Sequence, residues 1–186
     1  VQSEIYLDGG AYASFGVATA YYAGSMMPTL YHLPNYKYDG YRVVTNKPAC
    51  GAMRGHGVPQ PRFAFECLLN MVAEDLGIDP IEIRRRNAMR PNTRTVNDLD
   101  IRSCEFPATL EAVYEKSGWK EKYRPQRGGG GVSPAKPGGV GVSPAKGIGV
   151  GCGGFVSGAG YCIYRGQVQL SHEKPRAHFQ KKSIFP

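Results

Sequence analysis

The chain has 186 residues, enough for one domain with a hydrophobic core, and 41% of them are hydrophobic. The formal charge of +8 is local: residues 1–121 carry 13 Lys or Arg against 14 Asp or Glu, whereas residues 122–186 carry 10 against 1. Such a basic segment, with little aromatic interleaving, binds polyanions weakly, so nucleic acid is not the expected partner. Five cysteines without a CxxC pair, and no apolar run near ~18 residues, favour reduced thiols in a cytoplasmic protein with no membrane partner.

Two strands are predicted near the start of the chain. Residues 3–15 alternate apolar and small side chains around Gly9 and Gly10, a pattern typical of a strand with a bulge or sharp bend. Residues 41–46 are mostly β-branched or aromatic, which favours a second strand. An aromatic connection punctuated by proline separates the two.

A long amphipathic helix is predicted after Pro61. Its apolar residues recur at helical spacing and form one stripe: Phe65, Leu68, Leu69, Val72 and Leu76. Gly77 follows the stripe and supplies a left-handed stop. The pattern therefore predicts a helix that ends just before this glycine.

Two further helices are predicted from capping and periodicity signals. Asp79 is placed as an N-cap, with Pro80 at the first helical position and Glu82 three residues after the cap. The arginines at 84–86 lie near the C-terminal end of this helix, where cations suit the helix dipole. The last predicted helix spans residues 107–117.

A tandem repeat marks a change of character after Trp119. The hexapeptide Gly-Val-Ser-Pro-Ala-Lys occurs twice, ten residues apart, within residues 128–146. This stretch has too few apolar side chains to offset the entropy of ordering it. Residues 122–146 are therefore predicted to form a flexible Gly/Pro-rich linker or loop insertion.

Regular pattern returns beyond the repeat. The alternation of Ile148 and Val150 with glycine predicts a strand within residues 147–165 that feeds a tight turn. Residues 166–186 show no period and are expected to form a basic irregular tail. The predicted organisation is thus one domain over residues 1–121, continued at 147–165, with the linker and the tail as separate segments.

A glycine-rich loop at residues 50–60 precedes the long helix and is the segment best suited to binding a ligand. Gly51, Gly55 and Gly57 allow the backbone to approach a bulky group closely. Backbone N–H groups that lead into a helix N-terminus favour an anion. By itself the pattern is also typical of a simple turn.

Four motifs follow one another over residues 31–87, namely Tyr-His-Leu-Pro-Asn-Tyr, Tyr-Arg-Val-Val-Thr-Asn-Lys-Pro, Met-Arg-Gly-His-Gly-Val-Pro-Gln-Pro and Ala-Glu-Asp-Leu-Gly-Ile-Asp-Pro-Ile-Glu-Ile-Arg-Arg-Arg-Asn. In this order and spacing they resemble the molybdopterin-binding large subunit of xanthine dehydrogenase-type molybdenum hydroxylases. The resemblance extends over most of residues 1–120 and is closest to the 4-hydroxybenzoyl-CoA reductase alpha subunit. The segment at 147–165 also resembles the family.

The fold class expected is α/β or α+β, a partial molybdopterin-binding domain with mixed strands, amphipathic helices and an incomplete sheet. The resemblance implies molybdenum held by molybdopterin, as the cytosine dinucleotide, with iron–sulfur and FAD groups on partner subunits. The implied reaction is hydroxylation, or reductive dehydroxylation, of a small aromatic or CoA-thioester substrate. In the family a metal takes two electrons and a glutamate acts as general base.

The resemblance also implies roles for particular residues. Arg54 matches the arginine whose loop contacts molybdopterin, with Gly55 and Gly57 beside it. His56 matches a substrate-facing position, although a histidine that packs at a helix entrance would look the same. Tyr22 aligns where purine-oxidising members carry an arginine, which argues against a purine substrate. No catalytic residue and no metal ligand is assigned.

The family's catalytic glutamate and much of its cofactor site are expected to lie outside residues 1–186. The chain is therefore expected to be an internal fragment, inactive alone and poorly stable because its strands lack partners. Glu66 and Glu74 are interpreted as solvated or capping carboxylates of the long helix, not as replacements for the missing base. The alternative function is a non-enzymatic basic polyanion-binding protein, based on residues 122–186.

Overall fold

The computed structural model describes residues 1–51, 53–123 and 148–155, and the backbone of 176–178. Within these ranges helices alternate with small sheets, which confirms the predicted fold class and its incomplete sheet. The elements in chain order are β1 (Gln2–Gly10), α1 (Gly16–Ser25), a 3₁₀ turn (Met27–Thr29), β2 (Lys37–Val44), α2 (Pro59–Asp75), α3 (Pro80–Asn87), β3 (Thr93–Arg94), β4 (Asp100–Ile101), α4 (Phe106–Ser117), α5 (Trp119–Lys122) and β5 (Arg176–His178).

The larger sheet has the strand order β1-β2-β5 and carries the predicted bulge. β1 and β2 are parallel, and β5 pairs with β2 in the antiparallel sense. The register shifts between Asp8 and Gly10, where Gly10 adopts a φ of +66°. The bulge is confirmed, but the strand ends at Gly10 and does not continue to residue 15, and β2 begins at Lys37 rather than at residue 41.

The connection between the two parallel strands contains α1, a helix that the sequence analysis did not predict. Its buried face consists of small residues that allow β2 to approach closely. A Cβ on Gly24 would lie 2.3 Å from the Tyr38 ring, so only glycine fits there. The Tyr38 hydroxyl donates to the Ala20 carbonyl oxygen at 2.7 Å, which fixes the helix on the sheet.

The long helix α2 confirms its prediction, although its apolar stripe is only partly covered. The helix ends at Asp75, and Gly77 takes the expected left-handed conformation with a φ of +63°. Phe65 is buried, whereas Leu68 is 48% exposed and Leu76 is 62% exposed. The stripe therefore contributes to the core through Phe65 and the half-buried Leu69, and its C-terminal part stays exposed.

The capping prediction for α3 is confirmed at the level of atoms. Asp79 Oδ1 accepts hydrogen bonds from the backbone N–H of Ile81 at 2.7 Å and of Glu82 at 3.3 Å. Its other oxygen, Oδ2, accepts from the Trp119 indole N–H at 2.9 Å, so the same carboxylate attaches α5 to α3. The last predicted helix is also confirmed as α4, and it begins one residue earlier, at Phe106.

The strand predicted around Ile148 and Val150 is wrong for its described part, since residues 148–155 form neither helix nor strand. These residues instead pack against α2 and α3 through backbone groups, as shown below. The tandem repeat and residues 156–165 lie outside the described residues, and the domain boundaries remain predictions. Among the helices described, none combines the length and the apolar character needed to cross a membrane.

Candidate functional site

The loop between β2 and α2 contains three successive residues with left-handed backbone. Gly55, His56 and Gly57 have φ values of +92°, +47° and +89°. Two tight turns hold them: His56 N–H donates to the Met53 carbonyl oxygen at 2.8 Å, and Val58 N–H donates to that of Gly55 at 2.9 Å. The loop therefore has one defined shape at the start of the helix.

The glycines of this loop have different surroundings. A Cβ on Gly55 would lie 2.8 Å from the Pro59 ring, and a Cβ on Gly57 would lie 2.5 Å from the Thr19 carbonyl oxygen. The close approach at these two positions is thus to the protein itself. A Cβ on Gly51 would meet no heavy atom of the described residues within 4 Å, so this glycine faces open space.

Hydrogen-bond donors accumulate in the loop without acceptors. Among the residues that the structure describes, none accepts a hydrogen bond from the backbone N–H of Arg54, Gly55 or Gly57. The Arg54 side chain is exposed and pairs with no described carboxylate. Helix α2 starts without a side-chain cap and without an acidic residue in its first turn. The positive end of the helix dipole and a cation are therefore both available to an anionic group.

Next to the loop lies a group of rings that we call the aromatic cluster, consisting of Phe15, Tyr22, His56 and Phe155. The ring centroid of His56 lies 5.5 Å from that of Phe15, 5.6 Å from that of Tyr22 and 6.3 Å from that of Phe155. Tyr22 and Phe155 are 5.6 Å apart. The cluster thus brings together residues from α1, the loop and the segment 148–155.

His56 is held by ring contacts and not by hydrogen bonds through Nδ1. This nitrogen is buried and has no hydrogen-bond partner within the described ranges. A non-glycine residue with a φ of +47° also costs backbone free energy, about 1–3 kcal/mol for a sparsely populated region. An orphaned nitrogen on a strained residue is a combination found at ligand-binding positions.

Glu66 is not a solvated carboxylate, so its interpretation from the sequence is wrong. It is buried and forms an ion pair with Arg84, with 2.8 Å between Oε2 and Nη2. It accepts hydrogen bonds from the Tyr31 hydroxyl at 2.7 Å and from the Cys152 N–H at 2.9 Å. Both carboxylate oxygens are therefore occupied, and Glu66 is not available as a general base. Glu74 is exposed, as interpreted.

Two groups beside this ion pair, the Tyr31 hydroxyl and the Cys152 thiol, have raised pKa values. Burial raises the pKa of Tyr31, and its hydrogen bond to Glu66 raises it further. Burial also raises the pKa of the Cys152 thiol. Both groups therefore stay neutral at physiological pH.

The structure gathers the five residues that the sequence singled out. Arg54, Gly55 and Gly57 lie in the loop, and His56 of the loop contacts Tyr22 of α1. Sequence reasoning missed the other two members of the aromatic cluster, Phe15 and Phe155. For Phe15 a signal existed, because it precedes Tyr22 by two helical turns. For Phe155 no local signal existed.

Comparison with known proteins identifies the domain type. Residues 1–88, which include the loop, Tyr22, Glu66 and Arg84, match the family described as the molybdopterin cofactor-binding domain. Residues 1–88 are thus similar to a molybdopterin-binding domain. Within the described ranges of this domain, no three His, Cys, Asp or Glu side chains converge as a metal site.

Known proteins similar to this chain include a xanthine dehydrogenase subunit and an aldehyde oxidoreductase. The chain is 40% identical over 114 residues to the xanthine dehydrogenase molybdenum-binding subunit of Escherichia coli O157:H7, covering 61% of this chain and 15% of that protein. It is 34% identical over 116 residues to aldehyde oxidoreductase of Megalodesulfovibrio gigas, covering 62% and 13%. With nicotinate dehydrogenase large molybdopterin subunit of Eubacterium barkeri it shares 39% over 118 residues, covering 63% and 28%.

Solved structures agree with this assignment of the molybdopterin-binding domain. Aldehyde oxidoreductase from Desulfovibrio gigas superposes with a TM-score of 0.59 at 30% identity, over 65% of this chain and 14% of that chain. Quinoline 2-oxidoreductase from Pseudomonas putida 86 superposes with a TM-score of 0.55 at 27% identity, over 65% and 16%. The chain therefore spans about one seventh of the length of these structures.

Proposed function

We propose that the chain is part of the molybdenum cofactor-binding catalytic subunit of an oxidoreductase that acts on an aromatic or CoA-thioester substrate. The observation that carries the proposal is the loop at residues 53–57, which lies beside the aromatic cluster. Its arginine is exposed, and three of its N–H donors have no acceptor in the part of the chain that the structure describes. An anionic cofactor and a flat organic substrate fit these two neighbouring surfaces. The reaction proposed is hydroxylation, or reductive dehydroxylation as in the 4-hydroxybenzoyl-CoA reductase type.

The residues present fit molybdopterin. Arg54 and the N–H groups of Gly55 and Gly57 would hold its phosphate and pterin polar groups, because charged hydrogen bonds to an anion are stronger than neutral ones. The proposed form is molybdopterin cytosine dinucleotide. When bound, the cofactor supplies a molybdenum centre that exchanges two electrons with the substrate. The chain's own contribution is binding and orientation.

His56 and Tyr22 are proposed to face the substrate. The imidazole Nδ1 lacks a partner in the described part of the chain and is suited to a hydrogen bond with a substrate oxygen or nitrogen. Tyr22 adds a ring beside it, 5.6 Å away. Two similar proteins, nicotinate dehydrogenase and quinoline 2-oxidoreductase, are named for aromatic substrates, which supports an aromatic substrate here.

The proposal includes partners and a location. We propose that separate iron–sulfur and FAD subunits carry electrons to or from the cofactor, and that the assembly works in the cytoplasm. The chain is similar to one protein named as a molybdenum-binding subunit and to one named as a large molybdopterin subunit, and the word subunit in both names supports an assembly of this kind. Co-purification of the tagged chain with iron- and flavin-containing subunits from its natural host is the expected outcome.

Molybdopterin retention tests the proposal directly. The chain is purified from a host that makes the cofactor, and bound pterin is measured as its fluorescent oxidation product. Arg54→Ala is expected to lower retention about tenfold or more, because a charge-assisted hydrogen bond contributes about 1.5–3 kcal/mol. The control is Arg90→Ala, another exposed arginine without a described ion-pair partner, which should retain pterin as the wild type does. Absence of pterin from the wild type, or equal retention by both variants, contradicts the proposal.

A further inference from the structure

The segment 148–155 is anchored to the buried ion pair by its backbone. Cys152 N–H donates to Glu66 Oε2 at 2.9 Å, and Arg84 Nη2 donates to the Val150 carbonyl oxygen at 3.4 Å. The Arg84 side chain is fully buried, and the Glu66 side chain is 7% exposed. Because both charges are held in place on α2 and α3, the segment that they bind has a fixed position.

Packing next to the anchor fixes the position of the following residue. A Cβ on Gly154 would lie 2.7 Å from Leu30 Cδ2, so the backbone of Gly154 rests directly on the Leu30 side chain. Phe155 comes immediately after this contact. Its ring then lies 5.6 Å from Tyr22 and 6.3 Å from His56.

The Phe155 ring is only partly used by the protein. It is 47% exposed, and Phe15, another member of the aromatic cluster, is 49% exposed. Both rings contact His56, whose Nδ1 has no acceptor or donor opposite it in the described residues. Exposed aromatic surface around an unsatisfied polar atom matches a planar ring that carries a hydrogen-bonding substituent.

We propose that Phe155 is a specificity-determining residue of the aromatic cluster, and that the Glu66–Arg84 pair is the positioning device that holds it against Tyr22 and His56. The ligand class is a planar aromatic ring whose polar substituent reaches His56 Nδ1. This inference rests on the proposed function, because it names the substrate side of the same site. It adds a residue and a distant ion pair that the family resemblance did not assign.

Binding of two probes to the full chain tests the role of Phe155. The probes are 4-hydroxybenzoate and its saturated counterpart 4-hydroxycyclohexanecarboxylate, and the measured quantity is the ratio of their Kd values by calorimetry. Phe155→Ala is expected to lower the preference for the planar ring by roughly 2- to 12-fold, the equivalent of one aromatic pair. Phe155→Tyr keeps the ring and should keep the preference. Phe63→Ala removes an exposed phenyl ring of α2 that makes no described ring contact, and it should change nothing.

A double-mutant cycle tests the positioning role. Glu66→Gln keeps the side-chain shape and removes the charge that holds the segment, so it should lower the preference for the planar ring towards that of Phe155→Ala. In the Glu66→Gln background, Phe155→Ala should then have little further effect. Gly154→Ala leaves the ion pair intact but displaces Phe155, and it should lower the preference similarly. A purely structural role for Glu66 predicts lower stability with an unchanged Kd ratio, and that result overturns the positioning claim.

Pterin retention by the same proteins separates the two proposals. Phe155→Ala is expected to retain molybdopterin at the wild-type level, because Phe155 lies in the aromatic cluster and not in the loop at residues 53–57, which we call the donor loop. If the wild type retains pterin but shows no planar preference, or if Phe155→Ala keeps that preference, the inference alone fails. If the wild type retains no pterin, the proposed function fails.

Discussion

The replacement Glu66→Gln tests how much the buried ion pair stabilises the fold. Glu66 accepts hydrogen bonds from Tyr31, Arg84 and Cys152, and its pair with Arg84 is shielded from water on both sides. Glutamine keeps the volume but leaves the Arg84 guanidinium as an uncompensated buried charge. Removal of one partner of such a pair costs about 3–5 kcal/mol, so we expect a loss of free energy of unfolding in this range.

Urea unfolding followed by circular dichroism measures this loss. For a slope of about 2 kcal/mol/M, the midpoint should fall by roughly 1.5–2.5 M. The control is Glu111→Gln, which breaks the pair between Arg85 and Glu111, 2.6 Å apart, whose glutamate side chain is 52% exposed. An exposed pair contributes about 0–1 kcal/mol, so this variant should shift the midpoint little. Equal shifts in the two variants would refute the reasoning from burial.

A second variant covers the case in which Glu66→Gln does not fold. The double replacement Glu66→Leu with Arg84→Met removes both charges and leaves no unpaired ion, and apolar substitutes of this kind are often neutral or stabilising. It should therefore unfold at a higher urea concentration than Glu66→Gln. If the double variant is as unstable as the single one, the unpaired charge is not the cause.

Three further predictions concern single positions. Asp79→Ala should lower the free energy of unfolding by about 0.5–2 kcal/mol through loss of the N-cap, while Asp79→Asn keeps an acceptor and should lose less; equal thermal midpoints would contradict this. Gly57→Ala should lower the free energy of unfolding by about 1–3 kcal/mol, because its Cβ would lie 2.5 Å from the Thr19 carbonyl oxygen. In Gly77→Ala the new Cβ meets no described atom within 4 Å, so the loss should be only about 1 kcal/mol. Iodoacetamide at pH 8 should label the exposed Cys67 before Cys152, because burial raises the pKa of the Cys152 thiol. Labelling of Cys152, followed by mass spectrometry, should accelerate as the pH rises. Equal labelling rates of the two cysteines would contradict this prediction.

The elements that the sequence predicted correctly depend on near neighbours in the chain. Asp79 caps α3 because its side chain reaches N–H groups two and three residues ahead. Gly77 ends α2 because a left-handed residue there needs no partner from elsewhere. The bulge at Gly10 likewise depends on a glycine with left-handed backbone. Each signal is complete within a few residues, so the order of the chain reveals it.

The features that the sequence did not predict depend on contacts between distant residues. α1 has small residues where an apolar stripe would be sought, because Gly24 must admit the Tyr38 ring. Glu66 looked like an exposed carboxylate because its partner Arg84 lies 18 residues ahead, in another helix. Phe155 joins the aromatic cluster because Cys152, three residues before it, binds Glu66, which lies 86 residues earlier in the chain than Cys152. Such pairings follow from the packed structure and not from local pattern.

Helix α2 connects the two parts of the candidate site. Its N-terminus follows the donor loop, and Glu66, two turns further on, binds the segment that carries Phe155. Between them the buried Arg62 donates to the carbonyl oxygens of Met26 and Met27 at 2.9 and 3.0 Å, which attaches the end of α1 to the same helix. Because one rigid helix sets the positions of the loop, α1 and the anchor, a displacement of α2 moves the donor loop and the aromatic cluster together. Replacement of Arg62 is therefore expected to weaken molybdopterin and aromatic-ring binding in parallel, whereas changes at Phe155 affect the ring alone.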